Sequence, residues 1–336
     1  RHLSGRPVLL LLVGSDLSVM EDLQPHARQV FGRATRMHLR PLHLADVQAV
    51  TATSAVDAVD AFLITGGFPE IVRSWPAGAT RAEFLAAAVA DPLSPLLVSG
   101  ELTMLGEFPQ STWSRAVLEA VGSGERTFST IASAAGGAAA PASGTLSPLL
   151  SALQAKHVLV GELPLSTRAD TRNRRYRIAD PYLRFWLAFL QRGLPLVERG
   201  RGDLALAAIE RGWTSWRGCA VEPLVRDSLV RLLPDLGRPD TAAVGGWWNR
   251  QNNPEIDIVG ADRAPVARAV HLVGSVKWLE GRPFGRSDYD ALVRAVAALP
   301  GAGADTPLVA VSRAGVDSDL PLAVRLGPDD LVRAWS

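Results

Sequence analysis

The sequence predicts a multidomain protein of mixed class, with α/β and α+β parts. The chain has 336 residues, which is more than one compact domain usually contains. Short continuous apolar runs, typical of buried strands, alternate with segments in which apolar residues recur at helical spacing. Stretches rich in glycine, proline and alanine separate these segments. Together these observations predict four modules, at residues 1–50, 51–109, 110–178 and 179–336.

The composition limits the possible classes of protein. The chain has 35 Lys+Arg against 34 Asp+Glu, a net charge of +1, so it is neither a polyanion nor a polycation. Cys219 is the single cysteine, which excludes an internal disulfide and a cysteine-based zinc finger. No run approaches the length of about 18 apolar residues that a membrane helix needs. The composition therefore predicts a cytoplasmic protein without a membrane partner.

The first module begins with an apolar run at Pro7–Val13 that ends in Gly14-Ser15-Asp16. This pattern is typical of a central parallel strand whose carboxyl end opens into a polar loop, and ligands bind beyond such strand ends. From this pattern alone, Ser15 is a typical N-cap of the following helix. The second module, from Val50 to Phe108, is helical and is interrupted at Thr65–Pro69, where glycines and a proline break the helix.

The third module has the order helix, helix and two-stranded hairpin, which is typical of a winged helix. Leu146, Leu149, Leu150 and Leu153 follow the i, i+3, i+4, i+7 pattern of an amphipathic helix. The hairpin strands are predicted at residues 158–163 and 175–178. Five arginines lie between them or at their ends: Arg168, Arg172, Arg174, Arg175 and Arg177.

We select Arg172, Arg174 and Arg175 as candidate nucleic-acid contacts, since arginines on such a hairpin can reach backbone phosphates. The helix before the hairpin carries few side chains suited to reading bases, so sequence-specific recognition is not expected. The alternative is that the winged helix packs against protein.

The fourth module is predicted to contain a helix around Val221–Leu233, three strands, a helix around Tyr289–Leu299 and a further strand at Thr306–Val311. The three strands are predicted at residues 244–248, 255–259 and 270–278. The tryptophans of this module are more typical of a core than of a stacking platform.

Several segments together resemble the archaeal-type ATPase family, in which a AAA+/STAND P-loop ATPase core and helical lid precede a winged helix and a C-terminal domain of unknown function similar to PD-(D/E)XK nucleases. They are Tyr176–Trp186, Trp247–Arg250, Glu255–Val259, Val276–Trp278, Val13–Ser15, Phe31–Thr35 and Gly66–Pro69. The resemblance implies that residues 1–50 end the ATPase core, 51–109 form the lid, 110–178 the winged helix and 179–336 the nuclease-like domain.

The resemblance implies ATP and Mg²⁺ as cofactors of an intact family member, with Ser15, Arg33 and Pro69 at the nucleotide. The alternatives are a cap for Ser15, a surface position for Arg33 and a simple turn at Pro69. A P-loop requires a Gly-Lys pair, and neither Lys156 nor Lys277 follows a glycine. The chain also begins with Arg1, so we expect it to be the C-terminal part of a longer ATPase or a remnant of one.

The nuclease-like domain implies a catalytic set of Glu222, Asp257 and Lys277, with Asp257 holding the metal ion. Ser275 stands two residues before Lys277, where the nuclease pattern has an acid, and a hydroxyl is a poor ligand for a hard cation. Nuclease activity is therefore not expected. The resemblance implies an ATP-regulated protein that associates with DNA. The alternatives are an ATP-independent module that binds DNA, a second copy or another protein, and a metal-dependent nuclease.

Overall fold

The computed structural model describes residues 37, 39–107, 112–136 and 143–336. The chain divides into two compact units, residues 1–40 and 41–336, and the second is described below. The strand predicted at Pro7–Val13, together with Ser15 and Arg33, lies outside the described residues.

The second unit begins with five helices, as the alanine-rich composition predicts. They are α1 (Leu44–Thr51), α2 (Ala55–Thr65), α3 (Pro69–Arg73), α4 (Arg81–Ala90) and α5 (Pro95–Glu107). Polar side chains cap them: Ser54 accepts from the backbone at the start of α2, and Thr80 and Glu83 form a capping box on α4. Between α2 and α3, Gly66 and Gly67 have φ angles of +61° and +73°, which confirms the predicted break.

Three helices and a hairpin follow. The helices are α6 (Thr112–Gly122), α7 (Phe128–Gly136) and α8 (Ser143–Ala155), and the antiparallel hairpin consists of β1 (Leu159–Glu162) and β2 (Arg175–Ile178). Leu146, Leu150 and Leu153 are buried on one side of α8, so the predicted amphipathic helix is confirmed.

A helical region, interrupted by a turn at residues 199–201, connects the hairpin to the C-terminal sheet. It comprises α9 (Pro181–Phe185), a π-helical turn (Trp186–Leu190), α10 (Gln191–Glu198) and α11 (Gly202–Leu232). Helix α11 begins 19 residues before the predicted start at Val221. Its internal Pro223 does not end the helix, because tertiary packing on both sides outweighs the local cost of proline.

The C-terminal sheet has five strands in the order β3-β4-β5-β6-β7. They are β3 (Ala243–Trp248), β4 (Glu255–Ala261), β5 (Val270–Lys277), β6 (Leu308–Ser312) and β7 (Val324–Leu326). The first three pair antiparallel, and β6 and β7 add in parallel. Helix α12 (Arg286–Val296) connects β5 to β6, and α13 (Pro328–Arg333) follows β7. The predicted order is confirmed up to β6; β7 and α13 are additional.

The helices and the sheet share a hydrophobic core. One cluster joins the helices to the hairpin and includes Trp186 and Trp213. A second joins α1 and α2 to the later half of α11, one face of the sheet and α13. The predicted core tryptophans are confirmed: Trp186, Trp213, Trp247 and Trp248 are buried, and Trp216 is half-buried and packs against both clusters.

Among the described helices, none is individually long and apolar enough to cross a membrane. Two bent pairs, Leu44–Thr51 with Ala55–Thr65 and Arg81–Ala90 with Pro95–Gly106, reach that length and composition only when both helices are counted.

Candidate functional site

The structure brings two members of the predicted catalytic set together, Glu222 on α11 and Asp257 on β4. Glu222 Oε2 accepts a hydrogen bond from Arg226 Nη2 at 2.9 Å, one turn further along the helix. Burial raises the pKa of Glu222 to about 7; Arg226 opposes this shift and the nearby charge of Asp257 adds to it. Glu222 and Asp257 are therefore electrostatically coupled across the boundary between helix and sheet.

Asp257 is hydrogen-bonded through one carboxylate oxygen within the sheet. Its Oδ2 atom accepts from the backbone N–H of Val276 at 2.7 Å and from Ser275 Oγ at 2.9 Å. Burial raises the pKa of Asp257, while these two hydrogen bonds oppose the shift. Ser275, which stands where the nuclease pattern has an acid, thus acts as a donor to Asp257.

The third member, Lys277, has its ion pair on another element. Lys277 Nζ lies 3.8 Å from Asp288 Oδ1 on α12, and Asp288 also binds Arg282 at 2.6 Å. Lys277 still contributes a weak attraction at Asp257, the smallest of the causes that shift the pKa of that carboxyl. The lysine is therefore held mainly by α12.

These residues do not fit a divalent metal ion. Within the described ranges, no group of three or more His, Cys, Asp and Glu side chains is arranged to hold one. One oxygen of Asp257 is occupied by two donors, and the guanidinium of Arg226 binds the neighbouring Glu222. A hard cation needs several free oxygen ligands, and Glu222 and Asp257 do not supply them in this arrangement.

The hairpin arginines fall into two groups. Arg172 and Arg174 are exposed. Arg175 is only 8% exposed. It forms a bidentate ion pair with Glu255 and donates a hydrogen bond to Asn252 Oδ1 at 2.8 Å. Its guanidinium also lies 4.2 Å from the centre of the Trp248 ring. The charge of Arg175 is thus compensated within the chain.

The loop between the hairpin strands is fastened to the C-terminal sheet. The backbone N–H of Leu165 donates to Gly246 O at 2.9 Å. Asn173 and Trp248 bind each other twice: Asn173 Nδ2 donates to Trp248 O at 3.2 Å, and Trp248 Nε1 donates to Asn173 O at 3.0 Å. The loop therefore has a defined position beside the β3–β4 turn.

This contact creates an open cavity of about 510 Å³, which we call the basic groove. The hairpin loop, the end of β3 and the β3–β4 turn line it, and Arg168, Arg172 and Arg250 contribute three exposed guanidiniums. In the described part of the chain, none of these three has a carboxylate within 4 Å, although Asp170 also lines the groove. Arg250 was not selected from the sequence, although it ends the Trp247–Arg250 segment that contributes to the family resemblance.

The predicted nucleotide residues form no described site. Ser15 and Arg33 lie outside the described residues, and Pro69 is the first residue of α3, a helix of five residues. Pro69 alone does not define a nucleotide site.

Part of this region is similar to a family of unknown function. Residues 186–287 match the model of the family DUF234, described as archaeal and bacterial proteins of unknown function. The matched range contains Glu222, Asp257 and Lys277 as well as Arg250.

A curated relative, an uncharacterized protein of Methanocaldococcus jannaschii, is 22% identical over 267 residues, which is 77% of this chain. The match covers 57% of the relative, so the chain spans little more than half of that protein's length. No solved structure matches.

Proposed function

We propose that this chain is a DNA-associated, non-catalytic C-terminal part of an ATP-binding protein. The observation that carries the DNA part is the basic groove. Arg168, Arg172 and Arg250 converge on it from two different parts of the chain, and none of them is neutralised by a carboxylate within 4 Å in the described residues. Uncompensated guanidiniums along an open groove are suited to backbone phosphates.

The form of the groove favours binding without sequence specificity. Trp247 and Trp248 line it but are only 7% and 2% exposed, so these rings are not free to stack on bases. The guanidiniums are the main groups offered to a ligand. We therefore propose contacts to phosphates rather than to base edges.

The site of Glu222 and Asp257 supports the non-catalytic part of the proposal. Donors from the sheet occupy Asp257, Arg226 binds Glu222, and Lys277 pairs with Asp288. A nuclease of the type implied by the resemblance needs these groups around a metal ion.

The ATP part of the proposal rests on the resemblance alone. It concerns a longer protein that would carry the P-loop, with ATP and Mg²⁺ as cofactors. The test is ATP binding by the product of the complete gene, in which changing the P-loop lysine abolishes binding.

The DNA proposal is tested by fluorescence anisotropy with labelled duplex and single-stranded oligonucleotides at several salt concentrations. Three phosphate contacts predict a slope of log K against log[salt] of roughly −2.7 for duplex DNA. The double variant Arg172→Gln/Arg250→Gln should reduce the slope to about −0.9. The matched control is Arg211→Gln, an exposed arginine of α11 outside the groove. Affinity that does not change with salt, or that the double variant leaves intact, would overturn the proposal.

A further inference from the structure

A second cavity, of about 30 Å³, lies under the hairpin between β2, α9 and α11, and we call it the arginine cavity. Five arginines line it, together with Glu162, Glu222 and Cys219. The arginines are Arg126, Arg175, Arg177, Arg184 and Arg226. This density of guanidiniums in a confined space is unusual, because each needs a partner when it leaves water.

Three of the five arginines have carboxylate partners. Arg175 binds Glu255, Arg177 Nε lies 2.5 Å from Glu162 Oε1, and Arg226 Nη2 lies 2.9 Å from Glu222 Oε2. The carboxylates that line the cavity, Glu162 and Glu222, are thus used by Arg177 and Arg226.

The other two, Arg126 and Arg184, have no carboxylate within 4 Å among the described residues. Arg184 Nη1 donates to the backbone oxygen of Cys219 at 3.3 Å, and Arg126 interacts with the Cys219 side chain. Burial lowers the pKa of Arg184 to about 10, and the positive charges of Arg126 and Arg177 add to this shift. Glu222 attracts Arg184 only from a longer distance. Glu222 and Glu255 also attract Arg126 and help to raise its pKa, so the site holds more guanidiniums than close carboxylates rather than no negative charge.

Local structure holds Arg184 in place. Asp180 caps α9, with Oδ1 accepting from the backbone N–H of Leu183 at 2.7 Å. Tyr182 OH and Trp186 Nε1 donate to the backbone oxygens of Leu96 and Leu97 at 2.9 and 3.0 Å. These bonds fix the Tyr176–Trp186 segment and so place the guanidinium before any ligand arrives, which lowers the entropic cost of binding.

A larger cavity of about 230 Å³ adjoins the arginine cavity. Arg177, Arg184 and Pro223 line both. The rest of the larger cavity is mainly apolar and includes Phe62, Leu63, Trp216 and Leu224, with Asp227 as its carboxylate. A polar end next to an apolar space is typical of a small-molecule site.

We propose that the two cavities together bind a small amphipathic oxyanion, whose phosphate or carboxylate group lies between Arg126 and Arg184 and whose apolar body occupies the larger cavity. Planar guanidiniums bind both kinds of oxyanion through paired hydrogen bonds. Arg168, Arg172 and Arg250 of the basic groove take no part in this site, so the proposal stands independently of DNA binding.

The experiment is isothermal titration of the full chain at constant ionic strength with phenyl phosphate, benzoate, inorganic phosphate and phenol. We expect phenyl phosphate or benzoate to bind more tightly than inorganic phosphate and phenol. Tighter binding of phenyl phosphate indicates a phosphate ligand, and tighter binding of benzoate indicates a carboxylate ligand. If phenol binds as well as both aromatic anions, or none of the four binds at millimolar concentration, the proposal is wrong.

Two variants locate the oxyanion. Arg184→Met and Arg126→Met should each weaken binding of the preferred anion by about tenfold or more, because each removes hydrogen bonds to a charged group. The control Arg211→Met should bind like the wild type. Arg184→Met should also leave the unliganded melting temperature unchanged or higher, since it removes a buried charge without a close carboxylate partner. If Arg184→Met does not fold, the affinity of Arg126→Met for the same anion tests the proposal. Unchanged affinity in the variants that fold would overturn the proposal.

Discussion

Replacing Asp60 with asparagine should destabilise the protein strongly, because Asp60 is the buried anion between two arginines. Asp60 Oδ2 lies 2.9 Å from Arg217 Nη1 and 3.2 Å from Arg313 Nη2. The side chains of Asp60 and Arg217 are 2% and 0% exposed, and the other carboxylate of the cluster, Glu280, is 60% exposed. This cluster joins α2 to α11 and to the residue after β6.

We expect Asp60→Asn to lower the free energy of unfolding by about 3–5 kcal/mol. This is the range for breaking a buried ion pair and leaving the partner charge uncompensated. Burial raises the pKa of Asp60, whereas Arg217 and Arg313 lower it, so the ionised form depends on these arginines. The assay is equilibrium unfolding in urea followed by tryptophan fluorescence. The buried Trp213 ring, whose centre lies 5.6 Å from the Arg217 guanidinium, should report on this region.

A double-mutant cycle makes the test specific. Arg217→Met alone should lower the free energy of unfolding by a similar amount, and the loss in Asp60→Asn/Arg217→Met should be smaller than the sum of the two single losses by at least about 1 kcal/mol. The control is Asp305→Asn, at an exposed position. A loss below about 1 kcal/mol for Asp60→Asn, with additive effects in the cycle, would show that the pairing reasoning is wrong.

Other predictions follow from the site and the turns. The stability of Glu222→Gln relative to the wild type should rise by a few kcal/mol between about pH 4.5 and pH 7, measured by urea unfolding. The cause is the raised pKa of Glu222, because ionising this carboxyl in the folded wild type costs stability in that range. A stability difference that does not change with pH would contradict this. Gly67→Ala should lower the free energy of unfolding by at least about 2 kcal/mol, since a Cβ would collide with the backbone oxygen of Leu42. The control is Gly78→Ala, at a φ of +74° with open space around it, and its free energy of unfolding should fall by less in the same urea titration. Ser275→Glu should lower the melting temperature and give no magnesium-dependent cleavage, because it removes a hydrogen bond and adds a second carboxylate beside a buried one; cleavage by this variant would contradict the conclusion that Glu222 and Asp257 do not fit a metal ion.

Local patterns were sufficient for most of the helices and strands. The leucine spacing in residues 146–153 predicted α8, and the glycine pair at 66–67 predicted the break between α2 and α3. Both depend on short-range chemistry: side chains three or four residues apart share one helix face, and glycine tolerates positive φ. The predicted helix around Val221–Leu233 begins too late, because packing extends α11 back to Gly202 and Pro223 lies inside it.

The candidate sites depended far more on long-range contacts. Arg172, Arg174 and Arg175 are equivalent in the sequence, but Glu255 and Trp248, more than 70 residues away, compensate only Arg175. Lys277 is two residues from Ser275, yet its ion pair is with Asp288 on α12. Spacing along a strand determines which face a side chain occupies, but not which charge from another element lies opposite.

The amino-acid pattern alone was enough for the mixed α/β class, the helix–helix–hairpin order and the tryptophan core. These properties depend on composition, periodicity and residue type, which are local. Folding was needed to bring Arg168, Arg172 and Arg250 into one groove and to leave Arg126 and Arg184 without a close carboxylate. Coulomb energies depend on distance in space and on burial, and only the packed chain sets both quantities.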